Sequence, residues 1–487
     1  MVQNDVYSGR LIGDNIWYRK VSNMDNKDMD GLRVNDKRGI RARYPDNIPE
    51  IMMQYDPNSG WITYDTIWLP PLKTVNGTMI IINASDYSNG DVYWPMEYVD
   101  GYSYEGEGDW GNYVLGKDGP CASDLKLGGM VPPWGYWCSP YPPRAEVNDG
   151  IEPHKTPSGL YINNSVLINS DSYTDLSETI ISSWRPYHWY NWFWSIQTND
   201  NFDKKTGKLE FERGGFQGAE GIEYGDLWYI ENVFNELTMP NEYFYNKTEG
   251  ILYYYNNETN DNEPPSESTL FVATNLKTIF NITGSQSNPV NNIVIQGLIF
   301  KDTNKVYLDN HAMPSSGDWA LNTDSLLYLK GTTNISINAN LFTRIDNTAI
   351  VLRGFNRYVT IENNDFTWIG ESAIALWGYS TGSPTTPMNG PDGRNGDQPR
   401  FITVKNNMAR ELGIWQKQSS FFFSAQSCQN YIYNNIVFNI PRAGFNFNDG
   451  FGLDNYIHDN LLLNTCRESG DHGPINAWDR LPYITNV

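Results

Sequence analysis

One short motif decides the fold: it reads Ile432-Tyr-Asn-Asn-Ile-Val437 and returns as Ile457-His-Asp-Asn-Leu-Leu462. Its pattern is an aliphatic residue, any residue, two Asn-like residues, any residue and an apolar residue. Four more copies share this pattern: Ile295-Gln-Gly-Leu-Ile-Phe300, Ile337-Asn-Ala-Asn-Leu-Phe342, Ile361-Glu-Asn-Asn-Asp-Phe366 and Val404-Lys-Asn-Asn-Met-Ala409. The shorter distances between first residues are 24 (361−337), 25 (457−432) and 28 (432−404) residues. Such a repeat predicts parallel three-stranded coils stacked on one another.

The repeat also predicts how the coils are held together. Inward apolar residues of each coil should stack on those of the next, and the paired Asn residues should form side-chain ladders at the bends. Two longer distances, 42 (337−295) and 43 (404−361) residues, contain insertions near His311–Trp319 and between Ser380 and Arg400. We therefore predict an all-β chain that contains a right-handed parallel β-helix, a solenoid, with a β- and loop-rich N-terminal region inserted into it or packed against it.

Three regions are predicted along the chain. Residues 1–230 are an aromatic-rich β and loop region that includes early coils or an insertion, residues 231–290 are hairpin strands and a transition, and residues 291–487 are the β-helix. The run Trp184–Trp194 contains alternating rings that suit either a sugar-stacking wall or a strand between two layers, and alternation favours the buried strand. Because Leu481–Val487 begins a further strand without a cap, we expect the chain to be a fragment of a longer protein.

Composition restricts the partners. The net charge is −22, which repels nucleic acids and anionic membranes, and no apolar run is long enough for a membrane-spanning helix. Aromatic residues make up 14% of the chain, and their rings suit either a core or the apolar faces of sugars. The predicted partner is therefore a neutral or weakly charged polysaccharide, and no cofactor or metal is predicted.

Secretion is predicted from two features, although the first residues lack the pattern of a signal peptide. Sequons for N-glycosylation occur at seven Asn residues, an arrangement that an Asn-rich chain also produces by chance: Asn76, Asn83, Asn163, Asn246, Asn257, Asn281 and Asn334. Cys121 and Cys138 flank a Gly- and Pro-rich loop, where a disulfide would contribute about 3 kcal/mol. Cys428 and Cys466 are expected to be free thiols.

Coil counting predicts a polar patch at the C-terminal end of the repeat. Four residues stand fourteen positions after the first residue of their coils: Val351, Ala375, Asn446 and Asp471. An offset of sixteen gives a set that contains Trp377 and Asn448, and an offset of ten gives a set that contains Arg442 and Arg467. Equivalent residues of successive coils lie roughly 4.8 Å apart. Asp449 and His472 should share this patch, with Arg442, Arg467 and Glu468 near its edge. Lys417 and Trp478 are further candidate substrate-binding residues.

Two carboxylates on one patch suit glycoside hydrolysis, in which one protonates the leaving oxygen and the other acts as nucleophile or activates water. The dense segment Cys466–Arg480 holds Arg, Glu, Asp, His and Trp between Gly and Pro residues, which favours a functional role. The structural alternative is that Asp and Asn only cap turns. His472 suits either acid–base work or a hydrogen-bonded turn.

Several motifs resemble those of large right-handed parallel β-helix proteins related to glycoside hydrolase family 141, from about residue 30 to the end. They are Val34-Asn-Asp-Lys-Arg-Gly-Ile-Arg-Ala-Arg-Tyr-Pro45, Trp228–Leu237, Glu371–Gly378, Gly413–Ser420, Arg442–Gly450 and Ser469–Pro474. The resemblance implies hydrolysis by acidic residues, with Asp471 as the catalytic residue and a second acidic motif a coil or two later, beyond Val487.

The predicted function is therefore that of a glycoside hydrolase-like protein acting on a complex extracellular polysaccharide. Asp471, Asp449 and Glu468 are the candidate catalytic residues. The first alternative is a non-catalytic structural or surface protein that assembles with itself or with further domains of a longer chain. The second is a polysaccharide lyase, with Lys417, Arg442 or Arg467 as the base.

Overall fold

A computed structural model gives the fold of the chain. It describes a defined set of residues: 15–24, 27–46, 62–63, 66–68, 72–75, 78–81, 154–155, 159–161, 176, 178–184, 188, 191–196, 202–203, 208–214, 219–220, 227–256, 263–309, 311, 321–379, 396–447, 454–469 and 472–477. These residues form β-strands joined by turns, and their only helical segment is the short 3-10 helix Phe234–Glu236. The described part of the chain is therefore all-β, as predicted.

Antiparallel pairing dominates the N-terminal part. Its strands are β1 (Ile16–Lys20), β2 (Leu32–Val34), β3 (Lys37–Arg38), β4 (Ile40–Arg41), β5 (Arg43–Tyr44), β6 (Ile62–Thr63), β7 (Thr66–Trp68), β8 (Leu72–Val75), β9 (Thr78–Ile81), β10 (His154–Lys155), β11 (Gly159–Tyr161), β12 (Ile180–Trp184), β13 (Asn191–Ile196), β14 (Phe202–Asp203), β15 (Lys208–Gly214), β16 (Ala219–Glu220), β17 (Leu227–Glu231), β18 (Glu242–Asn246), β19 (Ile251–Tyr255) and β20 (Phe271–Ala273). The predicted hairpin is present as β18 and β19, whose residues pair antiparallel from Tyr243–Tyr254 to Asn246–Ile251.

The largest sheet of this part has the order β5-β17-β12-β13-β15-β11-β7. Its central strands bury Trp184, Trp192 and Trp194, and the ring of Trp194 stacks on Phe211 at 4.4 Å between centroids. A fully buried indole has no free face for a sugar, because its contacts are with other side chains. The buried-strand interpretation of Trp184–Trp194 is therefore confirmed at these three rings.

Parallel pairing takes over in the second part of the chain. Its strands are β21 (Phe280–Thr283), β22 (Val290–Gln296), β23 (Ile299–Lys301), β24 (Ser325–Asn338), β25 (Leu341–Thr343), β26 (Thr348–Glu362), β27 (Asp365–Thr367), β28 (Ile374–Trp377), β29 (Pro399–Arg400), β30 (Thr403–Lys405), β31 (Met408–Arg410), β32 (Phe422–Ala425), β33 (Tyr431–Tyr433), β34 (Ile436–Phe438), β35 (Phe445–Phe447), β36 (Tyr456–His458), β37 (Leu461–Leu463) and β38 (Ile475–Ala477). They form a sheet of twelve strands and a sheet of six strands. The parallel stack begins at Phe280, before the predicted boundary at residue 291.

The six copies of the motif lie directly beside one another in the stack. Their first residues pair in order, and all are buried except the last: Ile295, Ile337, Ile361, Val404, Ile432 and Ile457. Their final apolar residues pair in the same order: Phe300, Phe342, Phe366, Ala409, Val437 and Leu462. Every one of these pairings is parallel, so the alignment predicted from the repeat is confirmed.

A ladder of asparagines runs along the bend between the two sheets. In five of the six copies the fourth residue is an Asn that accepts, through its side-chain oxygen, hydrogen bonds from the coil before it and donates to a backbone carbonyl of that coil. The ladder comprises Asn340, Asn364, Asn407, Asn435 and Asn460, with amide-to-oxygen distances of 2.9 to 3.0 Å between successive side chains. Four of its five members are buried. The predicted ladder is therefore confirmed.

The prediction made by counting fourteen residues is wrong for the last coil. The aligned column instead reads Val351, Ala375, Phe423, Asn446 and Asn476. Asn476 follows Ile457 by nineteen residues (476−457), because the turn after β37 is five residues longer than the turn after β34. Pairing of Phe445 with Ile475 sets this register, and Asp471 consequently does not belong to the column. In the column that contains Trp377, the neighbour in the next strand is Ala425.

Candidate functional site

The predicted patch lies at the C-terminal end of the twelve-stranded sheet, where the turns before β32, β35 and β38 come together. Backbone hydrogen bonds join these turns: Phe421 donates to the Gly444 carbonyl at 3.0 Å, and Gly444 donates to the Pro474 carbonyl at 2.8 Å. Six predicted site residues are described here: Lys417, Arg442, Asn446, Arg467, Glu468 and His472. Asp449, Asp471, Asn448 and Trp478 lie outside the described residues, so their roles stay predictions.

Lys417 and Glu468 form a buried ion pair at the centre of the patch. The Lys417 ammonium lies 3.2 Å from both carboxylate oxygens of Glu468, and both side chains are buried. Burial raises the pKa of Glu468, and the positive charge of Lys417 opposes that rise without cancelling it. The pair therefore holds a carboxyl group that keeps its proton to a higher pH than an exposed Glu does.

Arg442 and His472 form a second contact in the same patch. The Arg442 Nε lies 3.2 Å from the His472 Nδ1, and the Ser469 hydroxyl lies 3.3 Å from that nitrogen. Arg442 is fully buried, and its carbonyl accepts a hydrogen bond from the Cys466 backbone at 2.9 Å, which joins the two turns. The structure thus brings a guanidinium and an imidazole to the turn that carries Glu468.

Asn446 supplies an amide group to the outer face of the sheet. Its side-chain oxygen accepts a hydrogen bond from the Asn476 amide at 2.7 Å. Its own side-chain nitrogen is buried and has no hydrogen-bond partner among the described residues. A buried donor without a partner is costly, and such groups are found at places that bind a ligand or water. The binding role of Asn446 stays a prediction.

Arg467 lies at the edge of the patch. Its guanidinium is 3.1 Å from the Glu411 carboxylate, which also accepts a hydrogen bond from the Asn439 amide at 2.6 Å. Both members of this ion pair are only partly buried. These contacts join the turns that follow β31, β34 and β37 at the edge of the patch.

Trp377 does not offer a ring face to a ligand. It is 1% exposed, and the Arg353 guanidinium lies over its ring at 3.7 Å from the centroid. It also packs in a buried cluster with Val351, Ala375 and Phe423 on the outer face of the sheet. Sugar stacking needs an accessible ring, so the contacts of Trp377 favour packing over the predicted substrate contact.

A buried charged cluster, which no sequence motif indicated, joins the N-terminal part to the stack. We call it the Asp346 cluster: Arg33, Arg38, Asp302, Asp346 and Trp415. The Asp346 carboxylate accepts from Arg33 at 2.9 Å, from Arg38 at 2.8 Å and from the Trp415 indole at 3.1 Å. Burial alone would raise the pKa of Asp346, but the two guanidinium groups outweigh it and hold that pKa well below its usual value. Arg38 is the member of this cluster that lies in the motif from Val34 to Pro45.

A second buried group lies next to the Asp346 cluster. The Tyr307 hydroxyl donates to Glu231 at 3.0 Å, and the Lys305 ammonium lies 3.9 Å from the centre of the Trp415 ring. Burial and the nearby charge of Arg41 lower the pKa of Lys305 to about 7. These groups are enclosed between the two parts of the chain, so they hold the parts together rather than meet a large substrate.

Other predicted sites are described only in part. Asn281 and Asn334 are exposed and Asn246 is half-buried, which leaves the first two accessible to a glycosyltransferase. The remaining sequons and both members of the predicted disulfide, Cys121 and Cys138, lie outside the described residues, so glycosylation and the disulfide stay predictions. Cys428 is a buried free thiol and Cys466 a partly exposed one.

The described residues contain neither a metal-type cluster nor a long apolar helix. Among them, no group of three or more His, Cys, Asp or Glu side chains is arranged to hold a metal ion. No helix within the same residues has the length and apolar character that crossing a membrane requires.

Comparison with known proteins identifies a match in fold but none in sequence. No family model matches the sequence, and no curated protein matches it. The fold is similar to that of a solved structure titled "Glycoside hydrolase", with a TM-score of 0.56 and 10% sequence identity; the match covers 97% of this chain and 70% of that chain. At this identity the likeness concerns the fold alone. The chain therefore has a glycoside hydrolase-like fold.

Proposed function

We propose that the chain is a right-handed parallel β-helix that hydrolyses glycosidic bonds in a complex extracellular polysaccharide. The fold likeness to a glycoside hydrolase supports a carbohydrate ligand. The net charge of −22 favours a neutral or weakly charged glycan over a polyanion. The exposed sequons at Asn281 and Asn334 are consistent with an extracellular protein.

The observation that carries the proposal is the buried Glu468 beside Lys417. Glycoside hydrolysis needs a carboxyl group that is still protonated at the working pH, so that it can give its proton to the leaving oxygen. Burial raises the pKa of Glu468, and this direction supports a role as proton donor. Asp471, three residues later, is the proposed nucleophile or base, and Asp449 is the alternative for that role.

Arg442, His472, Asn446 and Arg467 are the proposed binding residues. Sugars present hydroxyl groups, which accept hydrogen bonds from guanidinium and amide groups and donate to carboxylates. Of these four side chains, His472 and Arg467 are partly exposed and would meet the sugar, whereas Arg442 and Asn446 are buried and would support them. In this scheme Arg442 holds His472 beside the turn that carries Glu468 and Asp471.

The test is release of reducing ends from a panel of neutral and weakly charged polysaccharides by the purified chain. Glu468→Gln and Asp471→Asn each preserve side-chain volume and remove a titratable proton, so each should lower the rate by about a hundredfold or more. Glu362→Gln is the control, because Glu362 makes only a surface ion pair with Lys405 at 3.0 Å. Equal activity of all three variants would refute the assignment.

A non-catalytic scaffold is the second candidate, and one observation favours it. The outward side chains of β34 and β37 form an apolar surface, with Ile436, Leu461 and Leu463 exposed by 44, 48 and 50%. Exposed apolar patches often mark protein–protein contacts. Concentration-dependent association in sedimentation velocity, without hydrolysis of any glycan, would support this candidate.

A polysaccharide lyase needs an unprotonated base beside the sugar, and the contacts at the patch disfavour one. Lys417 is occupied by its ion pair with Glu468, and Arg467 by its pair with Glu411. Unsaturated products absorbing in the ultraviolet would nevertheless identify lyase activity in the same assay.

A further inference from the structure

We infer that Asn191, on strand β13 of the N-terminal part, is a positioning residue that fixes Lys417 against Glu468. For catalysis this inference rests on the proposed function, but the placement itself is independent of it. Asn191 contributes no group to the patch; it acts on the main chain of the loop Gly413–Ser420, which carries Lys417.

The side-chain amide of Asn191 closes two hydrogen bonds to that loop. Its nitrogen donates to the Trp415 carbonyl at 2.9 Å, and its oxygen accepts from the Lys417 backbone N–H at 2.7 Å. The amide thereby satisfies the main chain on both sides of Gln416, as a neighbouring strand would. Asn191 is 2% exposed, so water cannot readily replace it.

The first part of the loop has other anchors, whereas Lys417 depends on Asn191. The backbone N–H groups of Trp415 and Gln416 both donate to the Gly370 carbonyl, at 3.0 and 3.1 Å. The Trp415 indole is held by Asp346. The hydrogen bond that fixes the Lys417 backbone is the one to Asn191, and from that fixed point the side chain reaches both oxygens of Glu468.

Strand β13 is a rigid carrier for Asn191. It is paired antiparallel with β12, where Asn191 lies opposite Trp184, and both Trp184 and Trp192 are buried. The position of Asn191 is therefore fixed by the core of the N-terminal part. It follows that this part of the chain sets the surroundings of Glu468, although it lies more than two hundred residues earlier in the sequence.

Among the described residues, three charged groups act on Glu468. Lys417 is the direct partner, Arg467 adds a second positive charge, and Glu411 adds a negative one. If Asn191→Ala frees Lys417, Glu468 loses its nearest positive charge while it remains buried. Its affinity for a proton should then increase, because the ionised form is less stabilised.

The experiment measures the melting temperature of the full chain between pH 4 and pH 9. A buried Glu with a raised pKa binds its proton more tightly in the folded state, so its contribution to stability is lost as the pH rises from the ordinary value through the raised one. In Asn191→Ala, the pH at which this contribution to stability is lost should rise by about one unit, which corresponds to a tenfold change in proton affinity. This rise should disappear in the Asn191→Ala/Glu468→Gln double variant.

Asn256→Ala is the matched control. Asn256 is also buried in the N-terminal part, and its amide donates to the Glu263 carbonyl at 2.9 Å, away from the patch. It should lower the melting temperature equally at every pH. If Asn191→Ala does not fold, Asn191→Ser, which shortens the side chain without emptying the site, should give a smaller shift in the same direction.

The inference is overturned if the alanine or serine variant behaves like the control, or if the shift persists when Glu468 is replaced by Gln. Hydrolysis is measured separately on the same proteins. A wild-type chain that cleaves no glycan refutes the proposed function but leaves the titration result standing. An active chain whose pH profile is unchanged by Asn191→Ala refutes the positioning role alone.

Discussion

The central residue of the asparagine ladder is Asn407, and its replacement by alanine tests what holds the coils together. The Asn407 amide donates to the Ile361 carbonyl and to the Asn435 side-chain oxygen, both at 3.0 Å. Its oxygen accepts from the backbone N–H and the side-chain amide of Asn364, also at 3.0 Å. Alanine removes all four hydrogen bonds from the interior.

The magnitude depends on which groups lose their last partner. The Asn364 amide still donates to Ile337, and the Asn435 oxygen still accepts from the backbone of residue 407. The Asn364 backbone N–H is left without the partner that Asn407 supplied, whereas the Ile361 carbonyl belongs to β26, which pairs with β30 at this position. Since a buried unpaired group costs about 1–3 kcal/mol and each lost hydrogen bond about 0.5–1.5 kcal/mol, Asn407→Ala should lower the free energy of unfolding by about 3 kcal/mol.

The assay is urea denaturation followed by tryptophan fluorescence, with Asn338→Ala as the control. Asn338 belongs to the same stack, but it faces outward, where its oxygen accepts from Asn363 at 2.9 Å in contact with solvent. Surface changes of this kind cost less than about 0.5 kcal/mol. Equal effects of the two variants would mean that the ladder is not what stabilises the bend.

Three further changes have predictable effects. Asp346→Ala leaves Arg33 and Arg38 buried without their carboxylate and should cost about 3–5 kcal/mol in chemical denaturation; a loss below 1 kcal/mol would contradict the role of the Asp346 cluster. Burial raises the pKa of Glu242 to about 8, so stability gained by its proton is lost as the pH rises from about 5 to 8. Glu242→Gln should flatten that part of the melting profile, and an unchanged profile would argue against it. Phe366→Ala removes a ring that stacks on Phe342 at 4.7 Å and should cost about 3–5 kcal/mol by denaturation, more than any exposed aromatic in the stack.

The sequence was sufficient for the coil register because the relevant signals are local. Each copy of the motif carries its own inward apolar residues and its own Asn, so copies such as Ile361–Phe366 and Val404–Ala409 could be aligned without a structure. Counting failed for Asp471 because the turn after β37 is longer than the others. The apolar and polar pattern of a strand does not report the length of the turn before it, so the sequence could not reveal this error.

For the candidate site, the sequence indicated individual residues but not the contacts between them. Lys417 and Glu468 stand in recognisable motifs, but their pairing joins residues that are 51 positions apart. Asn191 was hidden within a run of aromatic residues, and Asp346 stands in a bend that no motif marks. Both matter through contacts with residues more than two hundred positions away, which no local pattern encodes.

The spacing of the coils has one more consequence. Ile361 follows Ile337 by 24 residues and Val404 follows Ile361 by 43, yet both pairs are immediate neighbours in the sheet. The buried residues thus bring each coil into the same register with the coil before it, whatever the length of the loop between them. A loop at such a corner is free to change length and chemistry while the stack keeps its register. The loops that form a ligand-binding surface can therefore change in sequence while the core residues that determine the fold stay the same.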